Sequence, residues 1–448
     1  MTTPAVVVWF RRDLRLTDHP ALAAAADEAR TLGRPLLALF VVEDGLLRTG
    51  GANRRAYLSR TLAALDDTVD GRLVLRRGRP EMVVPEVAEE VASSTVHATG
   101  DCAPYGRRRD ARVAEALAAS GRALVRTGSP YAVSPGRVRT ADGAPYRVFT
   151  PFRRAWGSHG WPAPVGPPVG MRWARADRAL ARADLEVDLA TASLPPAGEA
   201  GATELLETFL DGPVAAYDED RDRPDRAGTS RLSPHLRFGT VHPRQVLDRL
   251  PTGTAGDAFR SELAWREFYA DVLWHRPDSA WTSLSPVGAH LRADSGPEAD
   301  ARFAAWTEGR TGYPLVDAGM RQLRAEGWMH NRVRMLTASF LVKDLHLPWQ
   351  RGAAHFMDLL IDGDLASNNH GWQWVAGTGT DAAPFFRVFS PERQAGRFDP
   401  DGTYVARYVP DLGGPDYPAP IVDHAVERAE ALERWQEARD AAARVDRA

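Results

Sequence analysis

Short apolar runs alternate with helical patterns over the first third of the chain, and no other feature restricts the fold as much. The helical patterns place apolar residues three and four positions apart, and the runs between them are predicted strands. Strands that alternate with helices build βαβ units and a parallel sheet. A run without polar positions, such as Ala5–Phe10, fits a sheet that is covered on both faces. The sequence therefore predicts a Rossmann-like α/β domain with a parallel sheet over residues 1–130.

The elements of this domain follow from the pattern. The predicted strands are Ala5–Phe10, Pro35–Val42, Leu73–Arg76, Thr95–Ala98 and Ala123–Arg126. The predicted helices are Pro20–Leu32, Arg54–Val69, Pro80–Ala92 and Arg107–Ala119.

The rest of the chain has few strand-like runs. Prolines and glycines interrupt residues 131–200, which predicts a long connector that wraps the surface of a domain. Residues 201–448 carry helical patterns, and we expect an all-α domain there. Its predicted helices are Ala202–Phe209, Pro243–Arg249, Ala255–His275, Ala299–Glu308, Tyr313–Glu326, Asn331–Asp344, Trp349–Ile361 and Ala425–Val445. The expected fold class is α/β plus all-α, and a length of 448 residues accommodates both domains and the linker.

Composition excludes several classes of protein. The single cysteine, Cys102, can form neither an intramolecular disulfide nor a cysteine metal cluster, and it fits a reducing cytoplasm. The apolar run at the start is too short for a signal sequence or a membrane span, so we expect a cytoplasmic protein without membrane contact. A formal net charge of −3 excludes a protein that is basic over its whole surface but leaves room for a basic groove. Without an HExxH or CxxC pattern, we predict no metal site, and without a Walker A or GxGxxG pattern the α/β domain lacks the usual dinucleotide signature.

The segment Ile361–Trp374 has the most unusual composition. Two acids, two asparagines and two tryptophans surround its glycines, a density that is rare in a purely structural loop. The acids Asp362 and Asp364 could bind a divalent cation, but no EF-hand spacing follows. They could also accept hydrogen bonds from a heterocycle or a ribose, and we expect a ligand site here.

Three further segments admit two interpretations each. Gly228–Pro234 clusters hydroxyl groups beside Arg231 and could hold phosphate oxygens, although an N-cap beside a loop arginine is the more common origin of such a cluster. One face of the helix near residue 260 combines an acid, a base and two aromatic rings, either as a site or as a surface ion pair between Glu262 and Arg266. That face carries Glu262, Trp265, Arg266 and Tyr269. His330, beside Asn331, is more often a structural histidine than a ligand.

Taken together, the motifs resemble those of the photolyase/cryptochrome family along nearly the whole chain and in the same order. The segments that carry the resemblance are Val8–Arg15, Gly228–Pro234, Trp265–Tyr269, Thr311–Pro314, Gly327–Arg334, Asp362–Trp374, Thr378–Pro384 and Arg387–Pro391. The pair His330-Asn331 is similar to the class I members that act on cyclobutane pyrimidine dimers, and Asn368 is unlike the acid of plant cryptochromes. The resemblance implies an α/β antenna domain, a linker and a helical FAD-binding domain. It also implies light-driven repair of DNA that contains pyrimidine dimers, by electron transfer from FADH⁻ to a flipped-out dimer. The alternative within the family is a cryptochrome-type blue-light photoreceptor.

The resemblance also assigns residues to FAD. Those implied to hold the phosphates, the sugar and the isoalloxazine are Tyr217, Thr229, Ser230, Arg231, Leu232, Ser233, Arg266, Arg334, Asp362, Gly363, Asp364 and Asn368. Asn368 matches the residue that faces flavin N5, where a neutral amide adds no buried charge. The implied catalytic set is Glu262, Trp265, Asn331, Met335 and Asn368.

A second implied set contacts DNA. Base and backbone contacts are assigned to Glu262, Trp265, Tyr269, Asn331, Arg332, Trp374 and Arg393. Further arginines expected at the edge of the pocket are Arg221, Arg223 and Arg226. Tryptophan faces can replace the stacking that a flipped-out base loses.

Electron transfer and light harvesting complete the expectations. Trp372 and Trp349 match the first two members of the family's tryptophan chain, but Gly296 stands where the third is expected, and Trp281, Trp306 or Tyr313 could replace it. The antenna chromophore is expected to be a deazaflavin of the 8-HDF type, because Gly106 stands where folate-binding members tend to have an acid. Methenyltetrahydrofolate and no chromophore are the alternatives. The antenna candidates are Arg54, Asp101 and Arg109. We also expect a monomer.

Overall fold

The computed structural model describes residues 4–175, 192–381 and 386–445, and its N-terminal part is built on one parallel sheet. The strands are β1 Val6–Phe10, β2 Leu36–Val42, β3 Val74–Arg77, β4 Thr95–Ala98 and β5 Ala123–Arg126. They lie in the order β3-β2-β1-β4-β5, and every pair is parallel. The predicted α/β class is confirmed, and each strand lies within one residue of its predicted bounds.

Helices cover both faces of the sheet. They are α1 Pro20–Leu32, α2 Asp44–Thr49, α3 Ala52–Thr68, α4 Pro80–Glu90 and α5 Pro104–Ala119. Alternate residues of β1 enter different cores: Val8 packs with the residues of α1 and α3, and Trp9 packs with those of α4 and α5. Burial on both faces explains why this strand has no polar position. The short helix α2 was not predicted.

The strand order reverses between β1 and β4, and this reversal opens a crevice at the carboxyl ends of the strands. Ligands of open α/β sheets bind at such a switch point. Arg11 and Arg12 follow β1 directly, and Asp101 follows β4. The sheet thus delivers charged side chains to the edge that faces the helical domain.

The connector returns to the sheet, as its composition predicts. It contains the helix α6 Phe149–His159. The amide of Leu36 donates to the carbonyl of Arg172 at 2.8 Å, and the amide of Ala174 donates to the carbonyl of Leu36 at 2.7 Å. Buried Trp173 thus forms a parallel bridge with Leu36 at the start of β2. Residues 176–191 of the predicted linker lie outside the described part. The boundaries at 130/131 and 200/201 stay predictions.

The second domain is helical. Its helices are α7 Gly198–Leu210, α8 Tyr217–Asp220, α9 Ser233–Phe238, α10 Pro243–Arg249, α11 Thr254–His275, α12 Pro297–Glu308, α13 Pro314–Glu326, α14 Asn331–Ser339, α15 Trp349–Leu359, α16 Leu365–Ala376, α17 Pro391–Phe398, α18 Thr403–Tyr408 and α19 His424–Val445. Short 3₁₀ turns span Pro213–Ala216, Pro277–Ala280 and Pro286–Ala289. Among the described helices, none is long and apolar enough to cross a membrane.

The segment after Asp364, which was not among the predicted helices, forms the helix α16, and the Asp364 carboxylate caps it by accepting from the amides of Ala366 at 3.1 Å and Ser367 at 3.2 Å. The predicted helix Asn331–Asp344 ends its α-helical part at Ser339 and continues as one π-helical turn over Phe340–Asp344.

Candidate functional site

Two acids at the end of α15 gather three arginines from distant parts of the chain. Arg334 donates to Asp362 at 2.8 Å, and Ser233 donates to the same carboxylate at 2.6 Å. Arg12, which follows β1, donates to Asp364 at 2.7 Å. Nearby, Nε of Arg237 donates to the carbonyl of Gly363 at 2.8 Å. We call Arg12, Arg237, Arg334, Asp362 and Asp364 the acid-loop network.

The electrostatics of this network favour charged carboxylates. Burial acts to raise the pKa of Asp364, but Arg12, Arg237 and Arg266 outweigh it and hold that pKa well below its ordinary range. Burial, followed by the neighbouring charge of Arg12, lowers the pKa of Arg237 to about 9. Nε of Arg12 is buried and lacks a hydrogen-bond partner in the described residues. The network therefore retains capacity to bind a further polar group.

Sequence reasoning found the acids and Arg334 but missed Arg12 and Arg237. Arg12 lies directly after β1, at the strand end where a doubly wound sheet places its ligands. The rule for switch points could therefore have found it. Arg237 had no comparable signal, because it lies inside the short helix α9.

In the part of the chain that the structure describes, no hydroxyl of the segment before α9 caps that helix, because its N-cap residue is Leu232 without a side-chain hydrogen bond. Ser233 reaches Asp362 and also accepts from the indole Nε1 of Trp328 at 3.1 Å. Arg231 has a positive φ of 52°, pairs with Glu326 and lies 4.2 Å from the Trp328 ring centre. The backbone thus turns sharply here, and the serine points inward while the arginine stays at the surface.

The other residues predicted to contact FAD differ in their surroundings. Tyr217 is buried at the start of α8 against Phe259. The Asn368 amide donates to the carbonyl of Ala353 at 3.1 Å and to the side chain of Asn369 at 2.9 Å. Its orientation is therefore fixed by neighbours on α15 and α16. The Leu232 amide donates to the hydroxyl of Ser230 at 3.3 Å, and buried Leu232 is the N-cap residue of α9, where its carbonyl accepts from the amide of Leu236 at 2.9 Å.

Arg266 does not form the ion pair that helix spacing allows with Glu262. Its guanidinium donates to the carbonyls of Pro130 at 3.2 Å and Leu236 at 3.1 Å and lies over the ring of Tyr131. Glu262 instead pairs with Arg221 at 2.7 Å. The surface-pair interpretation of this helix is therefore wrong, and the two side chains serve different sites.

A second cluster lies where α11, α14 and α16 pack together. From α11, the indole of Trp265 stacks on Phe149 with ring centres 3.6 Å apart, and Tyr269 stacks on His370 of α16 at 5.6 Å. Trp374 follows one turn after His370 and is half-buried. The cluster is completed from α14 by Asn331, Arg332 and Met335. Because α11 and α14 both pack against α16, the predicted acid, amide and aromatic side chains lie on neighbouring helices. Phe149, which sequence reasoning missed, stacks on Trp265.

The arginines at the edge of this cluster are paired with acids. Arg332 pairs with Asp222 at 2.7 Å. Two pairs between residues close in the chain lie in the same segment as Asp222: Arg223 pairs with Asp225 at 2.5 Å, and Arg226 pairs with Asp220 at 2.5 Å. We call this set the pocket rim, and its members are Asp220, Arg221, Asp222, Arg223, Asp225, Arg226 and Arg332. Arg393 is exposed on α17, where its amide donates to Ser390 at 3.3 Å.

Burial changes the protonation of the groups that face the cluster. It raises the pKa of Glu262; Arg221 and Arg332 oppose this rise, and Asp222 adds to it. Burial also lowers the pKa of His330 to about 4, so this histidine is neutral at pH 7. Its Nδ1 accepts from the amide of Arg332 at 3.2 Å and caps α14. One ring nitrogen of His330 thus has a structural role, whereas its Nε2 is buried without a hydrogen-bond partner in the described residues.

The predicted electron-transfer tryptophans lie on two helices that pack together, Trp349 on α15 and Trp372 on α16. Trp372 is buried and packs so closely on Gly352 that a Cβ there would lie 2.1 Å from Cη2 of the indole. Trp349 lies one turn before Gly352 on α15, and its Nε1 donates to Ser283 at 3.2 Å. Gly296 is exposed before α12 with open space around it. The predicted third position is thus bare in this chain.

The three possible replacements differ in exposure. Trp306 is fully buried against Trp372, with ring centres 6.1 Å apart. Tyr313 is buried and donates to the carbonyl of Val422 at 2.8 Å. Trp281 is 69% exposed, and its carbonyl accepts from the Gln350 amide at 3.4 Å, next to Trp349. Of the three, Trp281 alone reaches solvent while lying beside Trp349.

A cavity of 790 Å³ lies between the two domains, at the switch point of the sheet. All three antenna candidates line it, and their charges are already engaged: Arg109 pairs with Asp101 at 3.2 Å, and Arg54 donates to the carbonyl of Met357 at 2.6 Å. A Cβ at Gly106 would lie 2.1 Å from the Asp101 carboxyl carbon. An acid at this position would therefore displace Asp101.

No group of three or more histidines, cysteines or acids in the described ranges could hold a metal ion. Cys102 lines the cavity, and burial raises the pKa of its thiol to about 12. The site chemistry therefore rests on arginines, carboxylates, amides and aromatic rings. Residues 382–384 of the motif Thr378–Pro384 lie outside the described part.

Comparison with known proteins gives two matching family models. One is described as DNA photolyase and matches residues 6–169; the other is described as the FAD binding domain of DNA photolyase and matches residues 259–415. A deoxyribodipyrimidine photo-lyase of Streptomyces griseus is 42% identical, over 97% of this chain and 98% of its own. The similarity extends over both domains.

Solved structures agree in fold. A bacterial class III photolyase from Agrobacterium tumefaciens superposes with a TM-score of 0.91 at 35% identity, over 98% of each chain. An archaeal photolyase from Sulfolobus tokodaii, solved with two FAD molecules, superposes with a TM-score of 0.86 at 27% identity, over 96% of this chain and 99% of its own.

Proposed function

This chain belongs to the DNA photolyase family, and on that premise we propose how its residues bind and repair damaged DNA. The chain is an FAD-dependent enzyme that uses light to repair cyclobutane pyrimidine dimers. The observation that carries the residue-level proposal is the meeting of α11, α14 and α16, which gathers an acid, an amide and aromatic faces inside a rim of arginines. A flipped-out dimer needs this combination, since it has lost its stacking partners and exposes polar base edges.

The acid-loop network fits one side of FAD. FAD, when reduced and excited by light, supplies the electron that splits the dimer. We propose that Asp362, Asp364 and Arg334 hold its polar parts, that the Asn368 amide faces the flavin ring, and that Ser233 lies on the phosphate side. The buried carboxylates of Asp362 and Asp364 support this fit as acceptors for the hydroxyl and amide groups of FAD. The unpartnered Nε of Arg12 lies at the interdomain cavity and favours a polar ligand there.

The dimer itself would lie against the aromatic faces. Trp265 and Trp374 provide stacking surfaces, each worth about 1–3 kcal/mol per base. Asn331 hydrogen-bonds a base edge. Glu262, whose pKa burial raises, donates a hydrogen bond to a base carbonyl when it is protonated and no longer paired with Arg221. Tyr269 and Met335 fill the apolar wall and exclude water.

The strand that carries the dimer would be held through its phosphates. Arg332 and Arg393 are the proposed contacts, with Arg221, Arg223 and Arg226 around them. Phosphate contacts fix the position of a strand but do not read its sequence. Damage recognition therefore falls to the pocket and not to the rim.

For the supply of electrons to FAD, we propose the order Trp372, Trp349 and Trp281 from the interior to the surface. The exposure of Trp281 and its contact with the neighbour of Trp349 support this order. Trp306 and Tyr313 are both buried, so neither offers a surface end.

For light harvesting, we propose that the interdomain cavity binds an 8-HDF-type deazaflavin. Seven arginines and four acids line the cavity, which favours a chromophore with negative charge. The close contact of Gly106 with Asp101 leaves no room for the acid that folate-binding members tend to have. Methenyltetrahydrofolate and no chromophore remain the alternatives. Class I membership, the monomeric state and the cytoplasmic location stay predictions, and the similar Agrobacterium protein is a class III photolyase.

Binding in the dark tests the proposed pocket. FAD-loaded protein is titrated with oligothymidine that carries one cyclobutane dimer and with the undamaged strand. We expect a tighter complex with the damaged strand, and we expect Glu262→Ala to reduce that preference while FAD stays bound. Equal affinity for both strands would contradict the pocket and favour the cryptochrome-type alternative.

A further inference from the structure

The guanidinium of Arg332 binds the carboxylate of Asp222 through two hydrogen bonds, in the geometry with which arginine also binds phosphate. Its Nε donates to Oδ1 of Asp222 at 3.1 Å, and its Nη2 donates to Oδ2 at 2.7 Å. The ring of Phe398 lies 4.6 Å from the central carbon of the same guanidinium. Two parallel hydrogen bonds to one anion are the arrangement that arginine forms with both carboxylate and phosphate. The fork of Arg332 is thus oriented and occupied.

Asp222 and Arg221 are neighbours in the chain, and their side chains bracket the pocket. Arg221 reaches Glu262 on α11, whereas Asp222 reaches Arg332 on α14. The other rim arginines, Arg223 and Arg226, are paired within the same short segment. In the described part of the chain, Arg332 has no second carboxylate within ion-pair distance.

Exposure separates Asp222 from a fixed structural acid. The side chain of Asp222 is 30% exposed and that of Arg332 is 20% exposed. An ion pair this close to solvent contributes about 0–1 kcal/mol, so another anion can displace the carboxylate at low cost. Displaced Asp222 would find water beside it.

We propose that Asp222 is an internal substitute for a DNA phosphate. It holds Arg332 in position in the free enzyme, and a phosphate of the bound strand replaces it. This inference rests on the proposed function, because it requires a DNA strand at the pocket. Asp222 is in this sense a positioning residue that acts through Arg332.

The exchange has a measurable electrostatic consequence. A free arginine that binds phosphate releases a counterion from the nucleic acid, and each such contact steepens the dependence of affinity on salt. When the phosphate instead displaces a carboxylate of the protein, the charge at the rim is already neutralised before binding. The affinity of the parent protein for DNA should therefore depend less steeply on salt than it would if Arg332 were unpaired.

Asp222→Asn in the FAD-loaded, full-length protein tests the proposal. The probe is oligothymidine with one cyclobutane dimer, titrated in the dark between about 50 and 200 mM salt. We expect about five-fold tighter binding at the lowest salt, the equivalent of one surface ion pair. The plot of log affinity against log salt should become steeper by about 0.7, the value for one phosphate of a single strand.

Glu207→Gln is the matched control. Glu207 forms the same two-bonded pair with Arg249, at 2.6 and 2.7 Å, but between α7 and α10 and outside the pocket rim. It removes the same charge, so a change in net charge alone would affect both variants equally. The control should retain the parent's slope.

Repeating the test in Arg332→Gln protein shows whether Asp222 acts through Arg332. In Arg332→Gln protein, the further change Asp222→Asn should alter neither the salt dependence nor the affinity, because no guanidinium remains for Asp222 to release. An unchanged slope in Asp222→Asn alone would overturn the proposal and leave a structural pair. Loss of FAD from Asp222→Asn would also overturn it, since the phosphate would then be that of the cofactor. If the parent itself shows no preference for the damaged strand, the proposed function fails instead.

Discussion

The acid-loop network and the pocket rim are built from the same arginine–carboxylate pairs but differ in burial. The carboxylates of Asp362 and Asp364 are 4% and 15% exposed, whereas that of Asp222 in the rim is 30% exposed. In the network, the partners come from both domains and meet at carboxylates that are mostly shielded from water. At the rim, solvent and DNA phosphate can compete with Asp222 for Arg332. Burial thus decides whether an ion pair fixes the geometry of a site or yields to a ligand.

Removing a carboxylate from the buried side should have the largest effect. Asp364→Ala leaves Arg12 and Arg237 without their anion and removes the cap of α16, so we expect a loss of about 3 kcal/mol in the free energy of unfolding. FAD should be lost with it. Thermal unfolding and the flavin absorbance of the purified protein measure both effects.

The sign of the pH dependence follows from the pKa of Asp364. Because the folded state holds this pKa below its ordinary range, the stabilisation is present above the unfolded value of about 3.9 and is lost as the pH falls through the folded value. The parent and Asp364→Ala should therefore converge only in strong acid. A variant as stable as the parent at pH 7 would show that the network does not fix the site.

Removing an aromatic side chain from the pocket should weaken DNA binding with little effect on FAD binding or stability. Trp265→Ala removes one stacking surface, and we expect the affinity for the damaged strand to fall about ten- to one-hundred-fold, in line with about 1–3 kcal/mol per base. FAD content and thermal stability should change far less than in Asp364→Ala. Trp265→Phe, which retains a ring against Phe149, is the control and should retain most of the affinity. Unchanged affinity in the alanine variant would remove Trp265 from the pocket.

Glu262 offers a test by pH. Its raised pKa keeps the carboxyl protonated to higher pH than usual, so repair per absorbed photon should decline as the pH rises through that pKa. Glu262→Gln, which is neutral at every pH, should give a flat profile at a somewhat lower yield. Identical profiles for parent and variant would mean that the proton on Glu262 plays no part in repair.

The smallest effect is expected at the surface. Trp281→Phe should slow the light-driven reduction of oxidised FAD by an added thiol, because phenylalanine is much harder to oxidise than tryptophan. Trp281→Tyr should restore part of the rate, and dimer binding in the dark should match the parent in both. A rate that equals the parent's would assign the surface end of the path to another residue.

The sequence predicts much of the fold because strand and helix periodicity are local properties. The strands of the sheet and most long helices therefore lie close to their predicted positions. Helix α16 escaped prediction because its first turns carry serine, asparagines and glycine, and its start depends on the Asp364 cap. The periodicity of apolar residues does not predict a helix whose start is set by a polar capping side chain.

The candidate site divides in the same way. Glu262, Trp265 and Tyr269 share a helix face, so spacing alone finds them. The partners of Asp364 and Arg332 do not follow from spacing, since Arg12 and Asp222 lie 352 and 110 positions away in the chain. The false expectation of a Glu262–Arg266 pair has the same origin, because α11 packs against elements that offer each side chain a better partner.

The measurement that tests the central claim most directly is light-dependent repair. FAD-loaded protein is reduced chemically and mixed with oligothymidine that carries cyclobutane dimers, and the absorbance of the restored thymines is followed under blue light and in the dark. We expect the absorbance to recover only in the light, and to recover much less with Trp265→Ala at the same flavin content. No recovery with reduced FAD bound would contradict repair at this pocket.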